Sequence, residues 1–138
     1  MNTIRRFVPF LVAALTATVS LNAAPPNGIW KLNNNGFVLT LTLKIDALGY
    51  ASGFANSDPI TGFWDETTGR LMFHRDTGGA TITPDKVQIF TGYQFPCNTT
   101  PEGGTGNQCL AGSFEAFKGT GAVPAKNVFG WVAYKMLP

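Results

Sequence analysis

The stretch Phe37-Val38-Leu39-Thr40-Leu41-Thr42-Leu43-Lys44-Ile45 decides the fold class of this chain. Phe37, Leu39, Leu41, Leu43 and Ile45 are apolar, while Thr40, Thr42, Lys44 and Asp46 are not. Alternation with a period of two predicts a strand with one buried face. No comparable helical period occurs beyond the first two dozen residues. Seven more strand-like runs surround this one: Gly28 to Asn33, Tyr50 to Asn56, Ile60 to Asp65, Arg70 to Arg75, Lys86 to Phe95, Leu110 to Phe117 and Phe129 to Met136. Together they make eight strands.

The punctuation between the runs has turn chemistry. Asn34-Asn35-Gly36, Ala47-Leu48-Gly49, Ser57-Asp58-Pro59, Glu66-Thr67-Thr68-Gly69 and Thr77-Gly78-Gly79 are all short. Short links force successive strands to be antiparallel neighbours, which gives an up-and-down meander. Only the segment after Phe95 and Lys118 to Val128 are longer. Five strands also place glycine beside or near an aromatic: Gly53 with Phe54, Gly62 with Phe63 and Trp64, Gly92 with Tyr93, Gly112 with Phe114, and Gly130 with Phe129 and Trp131. Glycine weakens a strand unless it serves bending or close approach. In a closed barrel it does both, and a neighbouring aromatic covers the missing side chain. The predicted fold is therefore all-β, an eight-stranded antiparallel up-and-down (meander) β-barrel; the weaker alternative is a flat sandwich.

The N-terminus reads as a secretory signal peptide, residues 1–24: Arg5 and Arg6, an apolar run from Phe7 to Val19, then Leu21-Asn22-Ala23-Ala24 before Pro25 and Pro26. Pro9, Thr16, Thr18 and Ser20 interrupt the run, which falls short of the ~20 apolar residues of a membrane span. Cleavage is expected after Ala23 or Ala24, leaving 25–138 as a single β-barrel domain, secreted or periplasmic. Of ten Lys and Arg, the leader holds Arg5 and Arg6, so eight remain against eight Asp and Glu. A neutral mature chain has no basic stripe for nucleic acid and no polybasic membrane patch.

Export would place Cys97 and Cys109 in an oxidising compartment. They bracket a loop rich in Gly, Thr, Asn and Pro, so a structural disulfide is predicted, with roughly 2–3 kcal/mol of stabilisation. Two cysteines and one distant histidine are too few to ligate a metal.

The first strand's Gly28-Ile29-Trp30 in an exported eight-strand meander resembles the calycin barrels, and among them the avidin and streptavidin family. Phe90-Thr91-Gly92-Tyr93 is similar to an avidin Trp-Ser-Gly-Gln-Tyr strand, and Gly130 to Lys135 to the pattern Gly-Trp-x-Val-x-Trp-Lys. The resemblance implies a structural role for Gly28 and Trp30, with the Trp lying across the closed floor. It also implies a ligand cage of strand tryptophans with polar groups from the first loop. The chain departs from the cage: it has three Trp, Phe90 stands at the sixth-strand Trp position, and Asn33, Asn34 and Asn35 replace the expected loop serine. No biotin-contacting residue carries over.

The candidate ligand contacts are Asn33, Phe54, Trp64, Tyr93, Ser113, Glu115 and Trp131. Glu115 and Ser113 share one face of their strand with Phe117, and the outer wall is the favoured side for that face. His74 and Asp76 are expected together on the outer surface, not as a catalytic pair, and Asp65 and Glu66 as solvated turn carboxylates. Gly103-Gly104-Thr105-Gly106 lacks the Lys-Ser/Thr of a phosphate loop. Asn98-Thr99-Thr100 fits a glycosylation acceptor. The reading that follows is a non-enzymatic exported barrel without cofactors that binds a small, largely apolar ligand at its open end, alone or as a homo-oligomer. Two other readings stay open. One is a protein-binding barrel that uses its outer wall or long loops, favoured by exposed Phe63 or Phe117. The other is a barrel enzyme of the dirigent or allene oxide cyclase kind, which would need Glu115, Lys44 or Arg75 to face inward.

Overall fold

A computed structural model describes residues 22–78, 84–97, 108–118 and 125–136. The eight strands are β1 (Gly28–Asn34), β2 (Phe37–Ile45), β3 (Tyr50–Ala55), β4 (Asp58–Asp65), β5 (Arg70–Asp76), β6 (Val87–Phe95), β7 (Cys109–Lys118) and β8 (Ala125–Lys135), with a 3-10 turn at Pro84–Lys86 before β6. Each pairs antiparallel with its chain neighbour, and β1 also pairs with β8, so the sheet closes into a barrel in strict chain order. The alternating stretch is β2, with Leu41, Leu43 and Ile45 buried. Its first residue departs from the pattern. Phe37 adjoins the β1–β2 turn and is exposed.

Turn chemistry sets the register. Asn35 and Gly36 both have positive φ, 53° and 89°, the two-residue type I′ hairpin that Asn-Gly favours. Asn34 therefore faces Phe37 across the strand pair. The β3–β4 hairpin turns on Asn56 and Ser57, not on Ser57-Asp58-Pro59. Asp58 pairs with Ala55 and Pro59 with Phe54, because Asn56 (φ 55°) supplies the left-handed residue one step earlier. β8 likewise starts at Ala125, earlier than expected, as its first residues pair with the end of β7.

β1 runs from the end that carries the N-terminal segment to the end that carries the Asn35-Gly36 turn. We call these the lower and upper ends. The β5–β6 and β7–β8 connections are also upper; the β2–β3, β4–β5 and β6–β7 connections are lower. At the lower end Cys97 and Cys109 are joined in a disulfide, Cα atoms 5.7 Å apart, closing the β6–β7 connection. Asn98 and the 103–106 glycine segment lie outside the described residues.

Inward positions carry the core. Trp30, Leu32, Leu41, Ala55, Leu71, Phe90, Leu110 and Ala133 have no accessible surface, so no water-sized void opens beside them. Fully burying each large side chain is worth about 1.5–3 kcal/mol. The glycines explain how the barrel takes so much aromatic bulk. Gly92 and Gly112 are partners on β6 and β7, and Gly112 faces Trp131 on β8. A Cβ on Gly92 would overlap Trp131 Cζ2, and one on Gly112 would overlap the Thr91 carbonyl. Trp131 thus fills the space beside Gly92, and its indole N–H donates to the Thr91 and Ser113 carbonyls at 3.2 and 3.0 Å. Gly53 and Gly62 also sit hard against neighbouring backbone, whereas Gly130 has room and no close approach accounts for it.

Candidate functional site

Strand parity sorts the residues singled out from the sequence. Trp64 and Trp131 face inward and are buried, Trp64 at the lower end and Trp131 level with Asn34 towards the upper end. Asn33, Phe54, Tyr93, Ser113 and Glu115 face outward. Each is one step out of phase with a buried neighbour: Leu32, Ala55, Gly92 and, for Ser113 and Glu115, Phe114. Their local bonds fit that placement. Asn33 Oδ1 accepts the Gly36 N–H at 2.9 Å, the Phe54 N–H donates to Thr42 Oγ1, and Lys126 Nζ is 3.0 Å from Glu115 Oε1. The seven do not converge on one cup.

Gly28 and Trp30 stand at the lower end. Trp30 faces inward, has no accessible surface, and donates its indole N–H to the Pro26 carbonyl at 3.0 Å. Lys135 Nζ sits 5.7 Å above its ring. Pro26 is fully buried beneath it, so the N-terminal segment plugs this end.

The upper end holds three features. First, an aromatic wall runs along β5, β6, β7 and β8. Phe73 and Phe90 stack at 4.6 Å, Phe90 and Phe114 at 4.9 Å, and Phe129 follows at 5.3 Å, with Trp131 edge-on to Phe73 and Phe90. Second, Asn34, inward in phase with Trp30 and Leu32, is 4% exposed, and its side-chain oxygen has no hydrogen-bond partner among the described residues. A buried unpaired amide oxygen costs about 1–3 kcal/mol unless something donates to it. Third, Arg75 faces inward from β5; its Nε donates to Asp58 Oδ2 at 2.9 Å, its Nη2 to the same oxygen, and its Nη1 to Gln88 Oε1 at 3.1 Å. That ion pair fixes the guanidinium between Asp58 and Gln88.

The sequence points to Asn33, whereas the structure buries Asn34 and brings Asp58 and Gln88 to Arg75. The signal for Asn34 was available: it lies four residues after Trp30, on the same face. Asp58 was hidden by its assignment to a turn.

His74 faces outward, its Nε2 3.0 Å from Thr61 Oγ1 across the β4–β5 pair. The expected pairing with Asp76 does not occur. Asp76 is buried, and its Oδ1 accepts the Gly78 N–H at 2.8 Å, which organises the start of the β5–β6 connection. Lys44 and Glu115 point away from the lumen. Among the described residues, no cluster of three or more His, Cys, Asp and Glu could hold a metal.

A cavity of about 300 Å³ opens at the lower end, lined by Pro25, by Ile45 to Gly49 and by Trp64, Asp65 and Glu66. The Asp65 carboxyl is held below its ordinary pKa, chiefly by the Thr68 hydroxyl, which donates to Oδ2 at 2.6 Å, with help from the Thr67 and Thr68 backbone. Asp65 and Glu66 are exposed, as turn carboxylates should be.

Against known structures, the chain superposes on the crystal structure of a rhizavidin–biotin complex with a TM-score of 0.58 and 16% identity, over 83% of this chain and 95% of that one. The fold is that of an avidin-type, calycin-like barrel. At this identity the likeness concerns backbone architecture. No protein-family model matches the chain, and no curated protein sequence does. In this avidin-type barrel Leu32 and Leu41, and the wall's own Phe73 and Phe90, are all essentially without accessible surface, so the middle of the lumen is filled.

Proposed function

We propose that the protein is an exported, non-enzymatic barrel that binds a small, largely apolar ligand at its upper end. The observation that carries this is Asn34: a buried amide oxygen without a donor among the described residues, beside Trp131 and the aromatic wall. The ligand that suits it has an apolar body for the phenylalanines and one N–H or O–H for Asn34. The filled middle of the lumen limits it to a shallow seat. Structural likeness to a biotin-binding protein supports carriage of a small molecule. The core packing argues against a ligand that reaches the floor. The Cys97–Cys109 bridge is compatible with an oxidising destination.

The test uses caprolactam, an apolar ring with one amide N–H, and N-methylcaprolactam, which lacks that donor. Caprolactam should shift the Asn34 side-chain amide and Trp131 indole resonances, and the methylated ring should bind about tenfold more weakly. Equal affinity of the two, or no shift at either residue, would contradict the reading.

A second reading, a protein-binding wall, draws support from a row of outward side chains. Tyr50 and Phe63 are partners with rings 5.1 Å apart, Met72 pairs with Phe63 on the next strand, and all three are well exposed. Contiguous exposed apolar surface of this kind marks interaction sites. A homo-oligomer would use it. Phe117, the other aromatic considered for such a surface, is half-buried.

A further inference from the structure

The lower end carries an arrangement that ligand carriage at the upper end does not use. The N-terminal segment is fixed to the floor on both sides of the expected cleavage site. The Ala23 N–H donates to the Glu66 carbonyl at 2.8 Å, and Asn22 Nδ2 lies 3.4 Å from Glu66 Oε1. Beyond the site, Pro25 lines the 300 Å³ cavity, buried Pro26 accepts from Trp30, and Asn27 Oδ1 accepts from the Ile45 N–H. Cleavage after Ala23 or Ala24 therefore releases a chain whose residues from Pro25 on are still held in place.

Cleavage removes Asn22, the partner shown for the Glu66 carboxylate, and Ala23, whose N–H the Glu66 carbonyl accepts, and it creates an α-ammonium within one or two Cα steps of about 3.8 Å from the former position of the Ala23 nitrogen. The other carboxylates on the cavity are already engaged by their own turns. Asp65 accepts from Thr67 and Thr68, and Asp46 Oδ1 from the Leu48 and Tyr50 N–H groups. Glu66 is left to receive the new charge.

We propose that the lower cavity is the binding site for an N-terminal ammonium, the chain's own, with Glu66 as counter-ion, so that removal of the leader completes the barrel floor. The inference rests on the export reading. Asp46, Asp65 and Glu66 are the described charged groups on the neighbouring turns; Arg70 starts β5 at the lower end, whereas that strand's Arg75 and Asp76 stand at its upper end, and Lys135 on β8 is held over Trp30. The ammonium's pKa rises above its unfolded value of about 7.7–8.0. Its contribution to stability is thus complete below that range and is lost as pH rises through the folded value.

The test starts from the intact mass and N-terminal sequence of the exported protein, followed by thermal unfolding between pH 6 and 10. The processed chain should lose about 2–4 °C of midpoint across pH 8–9 beyond any change in Glu66→Gln. A chain that keeps residues 20–24 ahead of Pro25 should behave like Glu66→Gln. An equal midpoint loss in all three proteins overturns the ammonium site while leaving export intact. An exported protein that retains its leader overturns both.

Discussion

At the scale of single residues, the barrel depends on volume exchanged between neighbours. Trp131 fits because Gly92 lacks a side chain, so bulk on β8 and its absence on β6 are one feature, while Gly112 lets β7 approach the β6 backbone. Trp131→Ala should cost about 3–5 kcal/mol in urea unfolding, from lost burial and the cavity left behind. Gly112→Ala should cost about 2 kcal/mol or more, because the added methyl meets strand backbone rather than a movable side chain. A neutral Gly112→Ala would refute the close-approach account. Asp65 makes a different prediction. Its folded pKa is depressed by turn hydrogen bonds, so its contribution is present above the ordinary carboxylate value and lost as pH falls through the lower, folded one. Wild-type stability should therefore fall more steeply than that of Asp65→Asn below pH 4, as measured by thermal midpoint.

At the scale of elements, the strands were largely legible from sequence, and their faces only in part. β2 announces itself by alternation, and the Asn-Gly turn by its chemistry. β3 misleads, because its aromatics Tyr50 and Phe54 point outward while Ala51, Gly53 and Ala55 point inward. Inward positions there must be small, since Gly53 sits hard against the Thr42 carbonyl and larger side chains from other strands fill the core. Apolar character therefore reports burial poorly in a barrel with aromatics on both walls. The same ambiguity put Phe54 and Tyr93 among the candidate contacts. Counting by twos from the Gly-x-Trp start would have placed Asn34 inside, because the first strand is unbroken by a bulge. The wall row offers its own test. If it mediates assembly, Phe63→Lys should convert an oligomer to a monomer by sedimentation velocity, and an unchanged state would exclude this face. The disulfide, legible from composition alone, closes the longest lower connection. Replacing Cys97 and Cys109 together by Ala should lower unfolding stability by about 2–3 kcal/mol.

At the scale of the whole molecule, closure in chain order produces two unlike ends around a solid middle. The floor is sealed by Trp30, Pro26 and the N-terminal segment, and the upper end gathers an aromatic wall, a fixed ion pair and one unpaired amide. A lumen filled between them leaves the avidin-type frame without room for a deeply seated ligand. Such a division was beyond sequence reading, because it depends on how side chains from eight strands share one interior. The central claim is that a small molecule occupies the upper end against Asn34. Native mass spectrometry of the mature protein, purified from its own host without denaturation, tests it most directly. A discrete small-molecule adduct is expected on the wild type and is lost in Asn34→Leu. A bare polypeptide mass for the wild type, or an adduct retained equally by the variant, would contradict it.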